Sequence, residues 1–119
     1  MHPSELIQSI KQHPDYHKVG MILCHNGVVR GTSRDGRRVS GLQVSVNHIK
    51  LRQIIEEQKA NPGIIEILVH IVENRKLSVG DDLMLLLVAG DIREHVIPVL
   101  ESTLNRIKTT VTEKTEFFE

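Results

Sequence analysis

Apolar residues along this chain follow two spacings, one typical of β-strands and one typical of α-helices. The longest continuous apolar run, Leu83 to Ala89, has the length of a strand and is bounded by acids and a glycine. This pattern predicts a strand buried on both faces. Gly90 interrupts the run, and Asp91 with Glu94 three residues later forms a capping-box pattern that predicts the start of a helix.

Beyond this start, apolar residues recur at helical spacing and predict one long amphipathic helix over residues 92–108. The periodic positions are Ile92, Val96, Leu100, Leu104 and Ile107. A strand that leads directly into a helix leaves free backbone N–H groups at the helix start, where an anion can bind. Arg93 lies in the first turn of this helix and Lys108 at its far end.

The N-terminal part predicts a short helix followed by two strands. In residues 1–18, Ser4 is the predicted helix cap and Pro14 the residue that ends the helix. Val19 to His25 is a predicted strand. Val39 to Val46 is the predicted returning strand, because Asp35-Gly36 between the two is a hairpin signal.

The middle of the chain predicts a second helix and a further strand. Asn47 can cap a helix that ends before Asn61-Pro62-Gly63, and Ile64 to Val72 is strongly apolar. Residues 109–119 form a polar tail whose two phenylalanines dock on the body, dock on a neighbour, or fray. The order helix, strand, strand, helix, strand, strand, helix predicts an α+β fold, with helices packed on a mainly antiparallel sheet.

Composition narrows the class of protein. At 119 residues, the chain is predicted to be one domain, residues 1–119. Fifteen basic and fifteen acidic side chains cancel, and aromatic residues are few, so neither nucleic acid nor an anionic membrane is a predicted partner. The single Cys24 excludes an internal disulfide framework and fits a reducing compartment. No apolar run approaches the roughly 20 residues that span a bilayer, so we expect a soluble cytoplasmic domain.

The seven histidines do not predict a metal site. His13 and His17 are four residues apart, but Pro14 between them breaks the helix that would align them. His70 lies within an apolar strand, which is typical of a structural histidine. Cys24 falls in a predicted buried strand, where a thiol is usually inert. The sequence also contains no nucleophile elbow, P-loop or dinucleotide-binding fingerprint.

Three basic residues beside apolar elements are the candidate binding groups: Arg30, Arg93 and Lys108. The other arginines of the turn-rich segment from 31 to 38 are more simply interpreted as solvated loop residues. Arg93 and Lys108 are 15 residues apart, which on one helix is roughly 22 Å, too far for one small ligand. If both serve one site, a second copy must supply one of them, which predicts a homodimer with sites at the subunit boundary.

Four segments resemble the large subunit of molybdopterin synthase, the MoaE family. They are Gly27-Val28-Val29-Arg30, Gly80-Asp81-Asp82, the strand that leads to Arg93, and Leu104-Asn105-Arg106-Ile107-Lys108. The resemblance covers about residues 19–108.

The resemblance implies an α/β-hammerhead fold and a homodimer that forms a heterotetramer with two small ubiquitin-like subunits (MoaD-like). The C-terminal thiocarboxylate of the small subunit would enter each site. Two sulfur atoms are then transferred onto cyclic pyranopterin monophosphate to give molybdopterin, with no cofactor and no metal. No cysteine of this chain is needed, because the partner carries the sulfur.

The resemblance also implies roles for particular residues. Arg30 matches the family's first pocket arginine, Arg93 the arginine of a His-Arg pair from the neighbouring subunit, and Lys108 the first of two lysines that handle the pterin intermediate. At the second lysine position stands Thr115, with Lys114 one residue before it. Lys114 is therefore the candidate for the second lysine.

Several positions depart from the family pattern. Ile92 stands where the histidine of the His-Arg pair is expected, Thr32 replaces a histidine, and Val72-Glu73 replaces a His-Arg dipeptide. Asp91 would compete with a phosphate for the same helix N–H groups. The alternative function is therefore a catalytically degenerate, dimeric binding or regulatory protein on the same scaffold.

Overall fold

Three α-helices, one 3-10 helix and six strands make up the protein in the computed structural model, which describes residues 1–119. The helices are α1 (Pro3–Lys11), α2 (His48–Lys59) and α3 (Arg93–Thr110), and the 3-10 helix is Tyr16–Lys18. The strands are β1 (Met21–Val28), β2 (Val39–Val46), β3 (Ile64–Ile71), β4 (Leu77–Ser78), β5 (Asp82–Gly90) and β6 (Thr112–Phe118). One antiparallel sheet has the order β1-β5-β3 and the other β4-β2-β6.

The central strand β5 is buried on both faces from Met84 to Gly90, as its apolar run predicts. Its side chains alternate between two cores. Met84, Leu86 and Val88 pack with residues of α2 and α3, and Leu85, Leu87 and Ala89 pack with residues of α1. The predicted α+β class with helices on antiparallel sheets is confirmed.

The predicted hairpin between β1 and β2 is wrong, although its turn forms. The Ser33 N–H donates to the Arg37 carbonyl at 2.9 Å, Gly36 has φ +85°, and Thr32 and Arg38 form an isolated bridge. Beyond this turn the two strands separate. β1 joins β5 in the first sheet, whereas β2 joins β4 and β6 in the second.

The polar segment after α3 is a strand, which the predicted element order lacks. β6 pairs antiparallel with β2 along its length. The side chains of both terminal phenylalanines dock on the body of the molecule. The Phe118 ring lies 3.7 Å from the Arg37 guanidinium carbon, and the Phe117 ring 4.6 Å from the Lys76 ammonium nitrogen. Such cation–π contacts contribute about 0.5–1 kcal/mol each at exposed sites.

The two shorter helices begin at different kinds of cap. Asn47 caps α2 as predicted, and its Oδ1 accepts from the Lys50 N–H at 3.1 Å. Ser4 does not cap α1. The N-cap is His2, whose backbone N–H donates to Glu5 Oε1 at 3.2 Å. α1 therefore starts earlier than predicted.

The start of α3 also differs from the predicted capping box. Ile92, rather than Asp91, is the N-cap residue and makes no side-chain cap. Asp91 Oδ1 accepts from the Ile92 N–H at 2.7 Å and from the His95 ring N–H at 2.8 Å. Glu94 pairs with Arg93 at 3.3 Å instead of reaching back. The helix runs one residue later at its start and two residues later at its end than predicted.

Candidate functional site

A cleft of about 840 Å³ lies between the two sheets beside the C-terminal end of α3. Its apolar lining comes from β1, β2, β3, β5 and α3. These residues are Val28, Leu42, Val44, Ile71, Leu83, Met84 and Ile107. Its polar lining comes from β1, the loop after β1, the end of α3 and β6. The cleft thus combines an apolar surface with polar groups at its edge, as small-molecule sites commonly do.

The charges around the cleft are mostly positive. Arg30, Arg34, Lys108 and Lys114 line it, and Glu116 is its single acid. Lys114 Nζ lies 3.8 Å from Glu116 Oε1, so that acid is already paired. The chain as a whole has equal numbers of acids and bases. The fold therefore gathers cations in one place, where their field favours an anionic ligand.

Arg30 is held by its buried neighbour. Val29 is 1% exposed, its N–H donates to the Asp81 carbonyl at 2.9 Å, and its carbonyl accepts from the Gly80 N–H at 2.8 Å. The Arg30 Nε–H donates to the Thr32 carbonyl at 2.8 Å. The backbone is thus fixed on one side and the guanidinium on the other, which leaves the two terminal amino groups of Arg30 for a ligand.

Lys108 and Lys114 reach the cleft from consecutive elements. Lys108 follows the fully buried Ile107 in the last turn of α3. Lys114 lies on β6, where side chains alternate between faces. Thr112 and Glu116 line the cleft together with Lys114, whereas Thr115 does not. Strand alternation therefore brings Lys114 to the cleft and turns Thr115 away.

His25 is a cleft residue that the sequence interpretation did not single out. Its ring lies over Gly27, because a Cβ built on that glycine would be 3.4 Å from His25 Nε2. Burial, and then the positive charge of Lys108, lower the pKa of His25 below its usual value of 6.5. The signal was present in the sequence, since His25 and Gly27 are two residues apart on a strand and must share a face.

Arg93 lies outside the cleft, at the opposite end of α3 from Lys108. Its side chain is exposed and pairs with Glu94. The anion site predicted at this helix start is partly filled, because the Asp91 carboxylate accepts the Ile92 N–H. One chain therefore brings Arg30, Lys108 and Lys114 together and leaves Arg93 apart.

The remaining arginines of the 31–38 segment take different positions. Arg34 lines the cleft, which differs from the solvated loop position that the sequence favours. Arg37 stacks on Phe118, and Arg38 pairs with Glu119 at 3.9 Å.

Cys24 is exposed, so the prediction that it is buried is wrong. Surrounding atoms still shield its thiol enough to raise the pKa, which disfavours the nucleophilic thiolate. No group of three or more histidine, cysteine, aspartate or glutamate side chains is placed to hold a metal ion. No helix has the length and apolar character needed to cross a membrane.

Fold and cleft together define an α+β protein of two antiparallel sheets with a cationic cleft between them. The chain belongs to the MoaE family, whose model, described as MoaE protein, matches residues 2–110. Membership of this family supports a role in molybdenum cofactor biosynthesis. A comparison with curated protein sequences finds no match.

Solved structures with the same fold are named as molybdopterin synthase or molybdopterin biosynthesis proteins. A molybdopterin synthase from Staphylococcus aureus aligns with a TM-score of 0.74 and 24% identity, over 91% of this chain and 85% of that chain. A molybdopterin cofactor biosynthesis protein E from Burkholderia multivorans has a TM-score of 0.78 and 19% identity, over 100% and 82%. A complex of subunits 1 and 2 of molybdopterin-converting factor from Helicobacter pylori has a TM-score of 0.73 and 14% identity, over 100% and 80%. At these identities the alignments show the shared fold.

Proposed function

We propose that this chain is the large subunit of a molybdopterin synthase, in which the cleft binds a pterin phosphate and receives the thiocarboxylate end of a small ubiquitin-like sulfur carrier. The single observation that carries the proposal is the convergence of Arg30, Lys108 and Lys114 on one cleft. Phosphate and thiocarboxylate are both anions, so a site that holds them side by side needs several cations. The Helicobacter complex of two subunits supports a small protein partner.

Each cation has a proposed role that follows from its position. Arg30 presents a planar guanidinium with free amino groups, which suits a phosphate because both can form paired hydrogen bonds. Lys108 and Lys114 line the cleft from α3 and β6 and handle the pterin during sulfur transfer. A lysine at a helix C-terminus also complements the helix dipole, so the role of Lys108 needs a direct test.

We propose that Arg93 of one subunit serves the cleft of a second copy of the chain. It cannot reach the cleft of its own chain, because α3 separates it from Lys108 by roughly 22 Å. In a homodimer, the start of α3 from one subunit lies beside the cleft of the other. We place the assembly in the cytoplasm, with two large and two small subunits.

A specific observation favours a second candidate, a binding protein without catalysis. The Asp91 carboxylate accepts a hydrogen bond from a backbone N–H at the start of α3. The exposed Ile92 follows it at the position where the family pattern has a histidine. Both features weaken an anion site at this helix start. On this alternative, the cleft binds a pterin phosphate or a carrier tail and does not transfer sulfur.

A single-turnover assay separates the two candidates. The chain is mixed with a thiocarboxylated carrier and cyclic pyranopterin monophosphate, and dithiolene product is followed for wild type, Lys108→Ala and Lys50→Ala. We expect Lys108→Ala to lower the rate by ~10²–10⁴-fold, the usual contribution of a positioned acid–base group. Lys50 is exposed on α2, outside the cleft, and its variant should match wild type. Equal inactivity of all three chains with intact carrier binding would favour the binding protein.

A further inference from the structure

We propose that His25 is the general base of the cleft and acts in the step that releases the sulfur carrier from the pterin. This inference rests on the function proposed above. It begins from the position of the His25 ring, which lines the cleft with Lys108 and Lys114 and lies over Gly27. The absence of a Cβ at Gly27 leaves room for the ring on this face of β1.

Among the ionisable groups that line the cleft, His25 is the one that is neither a cation nor paired with a cation. Arg30, Arg34, Lys108 and Lys114 are cations and only donate hydrogen bonds. Glu116 pairs with Lys114. The Ser33 hydroxyl is bonded to Asp35 and to the backbone of the same turn. His25 therefore carries the one accessible nitrogen lone pair among the ionisable groups of the cleft.

The electrostatic surroundings keep this lone pair available. Lys108 faces the ring from α3, Lys114 and Glu116 line the same cleft from β6, and Arg30 and Arg34 line it from the loop after β1. Burial first, and the charge of Lys108 second, hold the pKa of His25 below 6.5. The imidazole is thus neutral near pH 7, and a neutral imidazole has one acceptor nitrogen.

The chemistry of a thiocarboxylate donor requires such a base. When the carrier's sulfur bonds to a pterin carbon, the carrier and the pterin become joined through a thioester. Water must then attack the acyl carbon. The C–O bond forms, the C–S bond breaks with its electron pair staying on sulfur, and one proton of water passes to His25. The carboxylic acid that forms loses the second proton of water to solvent, so the carrier leaves as a carboxylate. The sulfur stays on the pterin as a thiolate, and the imidazolium returns its proton to solvent.

The test compares His25→Gln with His70→Gln in the single-turnover assay, with the carrier followed by mass spectrometry. His70 is a partly buried histidine on β3 of the same sheet and lies outside the cleft, so its variant is a matched control. For His25→Gln we expect product formation to fall about 10²-fold while the covalent carrier–pterin adduct accumulates. Pterin-phosphate affinity should be unchanged. In wild type the rate should rise with pH through a pKa below 6.5, and His25→Gln should lack this dependence.

A second measurement, made on folded protein, tests the position of His25 even if the His25→Gln variant unfolds. Histidine NMR titration of wild type and Lys108→Gln should show a higher His25 pKa in the variant, because a facing positive charge has been removed. An unchanged pKa would contradict the proposed geometry. If wild type forms product and His25→Gln equals it without adduct, the general-base role is rejected and the synthase function stands. If wild type forms neither adduct nor product, the synthase function fails and the role of His25 fails with it.

Discussion

Asp91 has a structural role at the start of α3 that can be measured separately from function. Its carboxylate accepts from the Ile92 N–H and the His95 ring. The hydrogen bond from His95 is the largest cause that lowers the Asp91 pKa below its usual 3.8. A carboxylate with a depressed pKa stabilises the folded state above its unfolded pKa, and that stabilisation is lost as the pH falls through the folded pKa.

We therefore predict that Asp91→Asn destabilises the protein at pH 7 and makes no difference at a pH below the depressed pKa of Asp91. The neutral amide can still accept the Ile92 N–H but has no charge to pair with His95. Urea unfolding of both chains at several pH values between 7 and 2.5 measures the difference. Glu101→Gln, on the exposed face of α3, is the control. A difference between wild type and Asp91→Asn that is constant over this range would show that the carboxylate charge has no stabilising role.

At the second lysine position, the structure adds a side-chain direction that the family resemblance does not give. Aligned without a gap, Thr115 takes the second lysine position and Lys114 lies one residue away. The structure places Lys114 at the cleft, because neighbouring residues of a strand face opposite sides. The sequence does not predict a functional role for His25 either, since a histidine in an apolar strand is usually structural. Its importance depends on Lys108, which is distant in sequence.

Among the elements, sequence predicts well those that are apolar enough to be buried. β3, β5 and α2 lie within a few residues of their predicted bounds, because each carries its own hydrophobic pattern or cap. β6 has neither signal. It is rich in threonine, glutamate and lysine, lies at the edge of the second sheet, and turns one face to the cleft. The hairpin prediction failed because only the turn is encoded locally. The strands that β1 and β2 pair with are distant in the sequence.

Because side chains of β6 alternate between its two faces, an exchange of two neighbouring residues can test the cleft without changing the amino-acid composition. The exchange Lys114→Thr with Thr115→Lys moves one ammonium group from the cleft to the opposite face of the strand. We expect pterin-phosphate binding to weaken by about 1.5 kcal/mol, the lower end for a hydrogen bond to a charged group, since the Lys114 side chain is 49% exposed. Calorimetry measures the affinity. Thr115→Lys alone keeps Lys114 in place and should bind as wild type does. Equal affinity of the exchanged and wild-type chains would exclude Lys114 from the binding site.

At the scale of the whole molecule, Arg93 is too far from the cleft of its own chain to serve it, so its proposed role requires a second copy of the chain. Light scattering should give twice the 13.5 kDa mass of one chain. Arg93→Ala and Lys108→Ala should each lose activity alone. When the two variants are mixed and allowed to exchange subunits, half of the dimers are mixed, and each of these has one intact site. We therefore expect the mixture to recover about one quarter of wild-type activity. No recovery after subunit exchange would contradict a site that combines Arg93 of one chain with Lys108 of the other.

The Ser40 hydroxyl donates to the Phe117 carbonyl across β2 and β6, and these residues are 77 positions apart in the chain. Segments so distant meet only after a large loss of chain entropy, which makes such pairings slow to form. β5 and α3, in contrast, are consecutive and can pack early around the first sheet. We therefore expect the second sheet, which forms one wall of the cleft, to close after β5 and α3 have packed together.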